Sequence, residues 1–127
     1  MYLFQLSIRY RPSFSRIIAA DCLWVSDRHV DLVRSMCSLL DYDTKSRVLV
    51  VAGLHTGRNV LSQFFRIAEE MGLYPDEDGI VENNLIDGKI CKWRDYEVEE
   101  DTVERKKWLV IAKLKRHASL PSSRSAI

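Results

Sequence analysis

The sequence predicts a single α/β domain: two strand-then-helix units, a hairpin region and one last strand. Three observations predict it. Short apolar runs rich in β-branched residues alternate with segments whose apolar residues recur every three or four positions. Asp87-Gly88 lies between two apolar stretches, a hairpin signal. The 127 residues, 46% hydrophobic and 29% charged, match one ordinary folded domain and exclude a mainly disordered chain.

Residues 15–22 form a continuous apolar run that closes on Asp21 and Cys22, which reads as a strand buried on both faces. Asp27 is placed to N-cap a helix through Leu40, with Val30, Val33, Met36, Cys37 and Leu40 as its apolar stripe. Residues 47–53 read as a second buried strand, too β-branched to favour a helix. A turn from Gly53 to Gly57 leads into a second amphipathic helix, about 59–71. Val60, Leu61, Phe64, Ile67, Ala68 and Met71 line its inner face, and Gly72 stops it. This order predicts right-handed crossovers and a parallel sheet.

Residues 80–86 and 89–93 flank Asp87-Gly88 as a tight hairpin. Residues 95–104 carry six acidic side chains and no basic one, and read as a solvated loop. Residues 106–115, around Trp108, read as another interior strand. From His117 the Ser-rich tail has too little apolar surface to hold itself down and is expected to be disordered. Residues 1–13 lack the basic-then-apolar order of a signal peptide, and no stretch approaches the ~18 apolar residues of a membrane span.

Charge and cysteine usage narrow the function classes. Nineteen Lys and Arg against 18 Asp and Glu give +1, so no overall basic field draws the chain to nucleic acid or anionic lipid. Cys22, Cys37 and Cys91 are odd in number, widely spaced and without a CxxC pair. That speaks against a disulfide framework or zinc site and for a reducing setting, cytosolic or nuclear, of which the cytoplasmic one is the expectation. His29, His55 and His117 pair with no cysteine or histidine at ligand spacing, so no metal site is expected.

Two places can carry chemistry. Asp21 falls where a parallel strand ends, outside which ligands bind in open α/β sheets, and its carboxylate can orient or deprotonate an amine. The alternative is that it accepts backbone N–H bonds in the following turn. Trp24 can wall a pocket for a planar or cationic group, or simply cover the core. The turn His55-Thr56-Gly57-Arg58 also follows a strand and opens a helix, though it is no Walker A sequence. Cys22 as a nucleophile competes with the more frequent buried, inert strand-end cysteine.

Residues 17–24 (Ile-Ile-Ala-Ala-Asp-Cys-Leu-Trp), 50–58 (Val-Val-Ala-Gly-Leu-His-Thr-Gly-Arg) and 104–110 (Glu-Arg-Lys-Lys-Trp-Leu-Val), in this order, resemble the fungal nicotinamide N-methyltransferase-like proteins. These are seven-strand, S-adenosylmethionine-dependent methyltransferases, some of which modify the N-terminal amine and a nearby lysine of elongation factor 1-alpha. The resemblance covers residues 14–116 and leaves 1–13 as a non-matching leader and 117–127 as a tail.

It implies the C-terminal half of a Rossmann-like methyltransferase sheet, with 15–22 as the fourth strand, 47–52 the fifth, 80–93 the sixth-strand region and 106–115 an antiparallel seventh. It implies that Ala20 lines the cofactor, that Asp21 and Trp24 face the methyl-accepting amine, and that His55, Thr56 and Arg58 stand on the substrate rim. The acceptor is then a protein amine or a nicotinamide-like amine, and the acidic 95–104 stretch favours a basic protein such as elongation factor 1-alpha. The family's glycine-rich cofactor turn has no counterpart in this sequence. The expectation is therefore a truncated chain, inactive alone, whose exposed sheet edge invites self-association. The alternative is a non-catalytic interaction module or remnant of that fold.

Overall fold

The computed structural model describes residues 12–95 and 101–117. In chain order it contains β1 (Arg16–Ala20), a 3-10 turn (Ser26–Arg28) running into α1 (His29–Leu39), and β2 (Arg47–Gly53). A second 3-10 turn (Leu54–Thr56) opens α2 (Arg58–Glu70), followed by β3 (Leu73–Asn84) and β4 (Ile90–Lys92). A third 3-10 turn (Glu104–Lys107) precedes β5 (Trp108–Arg116). The strands form one sheet in the order β1-β2-β5-β3-β4.

The fold is mixed α/β: two βα units, a hairpin region and an antiparallel last strand, as part of a Rossmann-like sheet would be. β1 and β2 pair in parallel, whereas β5 inserts antiparallel to both of its neighbours, β2 and β3. The sheet is thus mixed rather than purely parallel. β4 and β5 are each antiparallel to β3 and so run in the same direction, with β3 between them in the sheet.

Alternation along the strands sets the core. Val48 faces Leu114, Val50 faces Ala112 and Ala52 faces Val110 across the β2–β5 ladder, all of them buried. On that side they meet Val33 and Met36 of α1 and Leu61, Phe64 and Ala68 of α2. Complete burial of a side chain such as Phe64 or Leu61 contributes roughly 1.5–3 kcal/mol each. Arg116, at the end of β5, donates from Nη2 to the carbonyls of Cys37 (2.7 Å) and Leu40 (2.5 Å). It thereby closes the C-terminus of α1, where unpaired carbonyls favour a cation.

Several sequence expectations shift. The first strand is not buried on both faces: it forms the sheet's edge, with Ala19 buried and Ile18 69% exposed. Its continuous apolar run therefore misleads about its place in the sheet. Asp27 makes no side-chain cap and lies inside the 3-10 turn; α1 begins at His29, and Val30 is exposed. β3 starts directly after Gly72 and carries an irregularity between Pro75 and Ile80, so it is longer than its apolar core. Asp87-Gly88 ends a four-residue loop rather than a two-residue turn. The backbone N–H of Asn84 donates to Lys89 at 2.8 Å, and the Asn84 side-chain oxygen accepts the N–H groups of Ile86 and Asp87. Residues 104–107 wind into a 3-10 turn, so the last strand begins at Trp108.

The leader expected over 1–13 lies almost wholly outside the described residues, as do the centre of the acidic stretch and the tail beyond His117. His117 itself packs its ring against Tyr74, with centroids 4.8 Å apart.

Candidate functional site

The carboxyl ends of β1 and β2 carry most of the residues singled out in the sequence. Asp21 follows β1 directly. Its N–H donates to the Val51 carbonyl (2.8 Å), which extends the β1–β2 ladder by one bond. Its φ of 55° places it in the left-handed region, the one such non-glycine residue among those described. Aspartate tolerates that conformation better than most residues, and the bend turns its side chain out of the strand's alternation. The carboxylate is exposed, as is Ala20 before it. Trp24, three residues on, is 67% exposed.

Between them the chain turns inward. Leu23 is fully buried, and its carbonyl accepts a hydrogen bond from His29 Nε2 at 2.7 Å. Burial, and then the neighbouring Asp21 charge, push the Cys22 thiol above its ordinary range. A thiol held in that state is a poor nucleophile, so chemistry built on Cys22 is disfavoured. Burial raises the Cys37 thiol as well, opposed by Arg116.

At the end of β2, the His55 imidazole lies directly over Gly53, where any Cβ would collide with the ring. Glycine at that position is what lets the ring settle onto the strand's last residue. His55 is exposed and Thr56 half-buried, both on the 3-10 turn; Gly57, with φ of 113°, supplies the backbone reversal into α2.

Arg58 behaves differently from its neighbours. It is 4% exposed and paired with Glu82 of β3, itself 2% exposed, through Nη1 (2.7 Å) and Nη2 (3.2 Å). Its Nη1 also donates to the Arg94 carbonyl at 2.6 Å, and the guanidinium carbon lies 5.1 Å from the centre of the Trp93 ring. Glu82 further accepts the Arg94 N–H at 3.1 Å. Arg58 is therefore engaged in an internal clamp that fixes residues 93–95 against α2. Ser62 completes it by donating to the Asp95 carbonyl at 2.5 Å.

The structure thus brings Ala20, Asp21 and Trp24 to the end of one strand and His55 and Thr56 to the end of its parallel neighbour, with Arg58 directed inward. Sequence reasoning missed Glu82 and His29. An isolated Glu inside the β-like run 80–86 was the available signal for Glu82: a charge at a core position needs a partner. His29 had no comparable signal.

Two grooves open elsewhere. One, of about 450 Å³, lies beside Arg16, Lys45, Arg47, Leu49, Asp76 and Lys113; the other, of about 600 Å³, lies between Phe65, Arg66, Trp93 and Arg94. Neither is lined by Asp21, Trp24 or His55. Among the described residues, no three His, Cys, Asp or Glu side chains gather as metal ligands, and no helix is long and apolar enough to cross a membrane. No protein-family model matches this chain, and neither does any curated protein.

Proposed function

We propose that this chain is the acceptor-side half of an S-adenosylmethionine-dependent N-methyltransferase, directed at a protein amine (an N-terminus or lysine) or a nicotinamide-like amine, and inactive alone. One observation carries the reading: Asp21 is held in a left-handed conformation at the carboxyl end of a parallel strand, with an exposed Trp24 three residues away. Non-glycine residues in such conformations gather at functional sites, and strand carboxyl ends are where open α/β sheets bind ligands.

The chemistry asked of these residues is limited. S-adenosylmethionine, when bound, supplies an electrophilic methyl group. Asp21 accepts a hydrogen bond from the acceptor N–H and so turns the nitrogen lone pair outward, while Trp24 offers an aromatic face to a planar ring or a cation. Ala20, small and exposed at the strand end, leaves room for a nucleoside. No glycine-rich turn is available in this chain to cradle its anionic or polar parts. The residues therefore fit one wall of a donor site. A cytoplasmic setting belongs to the same proposal and is supported by three free cysteines. A basic protein such as elongation factor 1-alpha fits the acidic 95–104 stretch.

The test is an NMR titration of the chain with nicotinamide and, separately, with a peptide bearing a free N-terminus and a lysine. One of the two is expected to shift the Trp24 indole resonance, and Asp21→Asn to remove that shift while preserving the left-handed turn. No shift at Trp24 with either probe sinks the acceptor-site reading. Calorimetric titration with S-adenosylmethionine is expected to show no binding, and micromolar binding overturns the half-site part. The burial of Arg58 favours the second reading, a non-catalytic module, because it leaves the rim one cation poorer.

A further inference from the structure

We infer that two copies of this chain join through the free edges of β1, antiparallel about a twofold axis at Ile18. Among the described residues no strand pairs with that edge, since β1 is terminal in the sheet. The direction of its free groups follows from its other side. The Asp21 N–H donates to Val51, and the Ser15 carbonyl accepts the Arg47 N–H, so odd-numbered residues direct their backbone toward β2. Arg16, Ile18 and Ala20 therefore direct N–H and C=O outward.

An antiparallel partner in the register that sets Ile18 against Ile18 of the partner subunit uses all of them. Arg16 then faces Ala20 of the partner subunit and Ala20 faces Arg16 of the partner subunit, each facing pair exchanging both bonds. The contact is isologous and closes at two copies.

Side chains select this occupant. β1 opens on a cation, Arg16, and is followed by an anion, Asp21. Antiparallel self-pairing sets the Arg16 end of each strand against the Asp21 end of the other and keeps like charges apart, whereas a parallel arrangement sets them together. Arg16 directs Nη1 to the carbonyls of Ser15 (2.8 Å) and Lys45 (2.6 Å), and no carboxylate among the described residues forms an ion pair with it. Ile18, 69% exposed at the strand's centre, gains an identical apolar neighbour across the axis. The opposite edge is unsuited to the same pairing. β4 spans three residues, Ile90–Lys92, follows Lys89 directly and ends on Lys92, so self-pairing there concentrates cations.

Sedimentation velocity on the full chain across a dilution series is expected to show a monomer–dimer equilibrium. Ile18→Lys, an exposed substitution that leaves the core intact, is expected to weaken dimerisation at least tenfold, with unchanged circular dichroism; Ile90→Lys on the other edge is expected to leave it unchanged. Register is read by cysteine substitution. Ile18→Cys is expected to oxidise to a covalent dimer, because facing residues of that kind sit about 5.5 Å apart between Cα atoms, within disulfide reach. Ile17→Cys, on the inward face, is expected not to exceed the wild-type chain with its three native thiols. A monomer at every concentration overturns the inference. So does a dimer indifferent to Ile18→Lys, equal cross-linking at positions 17 and 18, or dimerisation that appears only after residues 1–11 are removed.

Discussion

Removing the charge of Glu82 while keeping its shape, as Glu82→Gln, tests whether the Arg58–Glu82 clamp is structural. Three donors converge on that carboxylate: Arg58 Nη1 at 2.7 Å, Arg58 Nη2 at 3.2 Å and the Arg94 N–H at 3.1 Å. Both side chains are almost fully buried. The substitution replaces the carboxylate beside the buried guanidinium with a neutral amide, while the Arg94 carbonyl and the Trp93 face stay in place. Breaking one side of such a pair costs about 3–5 kcal/mol, because the other charge stays buried.

For a domain of this size each kcal/mol corresponds to roughly 3–5 °C, so a fall in Tm of roughly 10–20 °C is expected. Urea unfolding followed by tryptophan fluorescence measures the free energy, and Trp93 reports the clamp locally. The paired replacement Arg58→Met with Glu82→Leu removes both charges together and is expected to recover most of the loss, since apolar substitutes of similar volume are often neutral or better. A Glu82→Gln loss under ~1 kcal/mol, or a double variant as unstable as the single one, refutes the reasoning.

Four further expectations follow from the site and its surroundings. Gly53→Ala forces the exposed His55 ring off the strand end, so stability is expected to change little while the His55 Cε1–H resonance moves; an unmoved resonance counts against the close packing. Asp21→Val, which sets a β-branched residue at φ of 55°, is expected to cost more stability in urea unfolding than Asp21→Asn, by on the order of 1–2 kcal/mol. Asp21→Asn also removes one of the two influences that raise the Cys22 thiol. Alkylation of Cys22 at fixed neutral pH is therefore expected to quicken, as mass spectrometry of the labelled peptide reads directly. Lys115 holds the Glu77 carboxyl below its usual range. That pair stabilises the fold above the unfolded carboxyl's pKa and is lost as pH falls through the lower folded value, so Glu77→Gln is expected to flatten the acid limb of a pH–stability curve.

The parts of this fold legible in the sequence are those written in local periodicity. β2 matches residues 47–53, and α2 is offset by one residue at each end, because a β-branched run and an i, i+3, i+4 stripe each specify one conformation. Position in the sheet is not local. Residues 16–20 read as interior because apolarity alone does not distinguish a central strand from an edge strand. The four-residue loop at 85–88 depends on Asn84 folding its side chain over the turn, with two hydrogen bonds that compete with the Asp87-Gly88 signal three residues later. At the candidate site, Asp21 and Trp24 were legible as a strand-end carboxylate and a nearby aromatic. Whether Arg58 would face solvent was not, because the answer lies 24 residues away at Glu82.

The proposed dimer and the proposed acceptor site place separate demands on β1, and they are compatible. The pairing uses outward backbone groups of Arg16, Ile18 and Ala20. Asp21 directs its N–H the other way, to Val51, and its left-handed φ turns the chain from the strand direction before Trp24. An antiparallel twofold also sends the two carboxyl ends of β1 in opposite directions, so each Asp21–Trp24 segment lies beside the start of the partner's strand rather than against its twin. The two readings therefore fail separately. Ile18→Lys is expected to separate the copies without touching the Trp24 response to an amine, and Asp21→Asn to remove that response while leaving the copies paired through backbone bonds. A single substitution that abolished both would mean that the acceptor surface is assembled across the twofold, with Arg16 of the partner subunit as part of it.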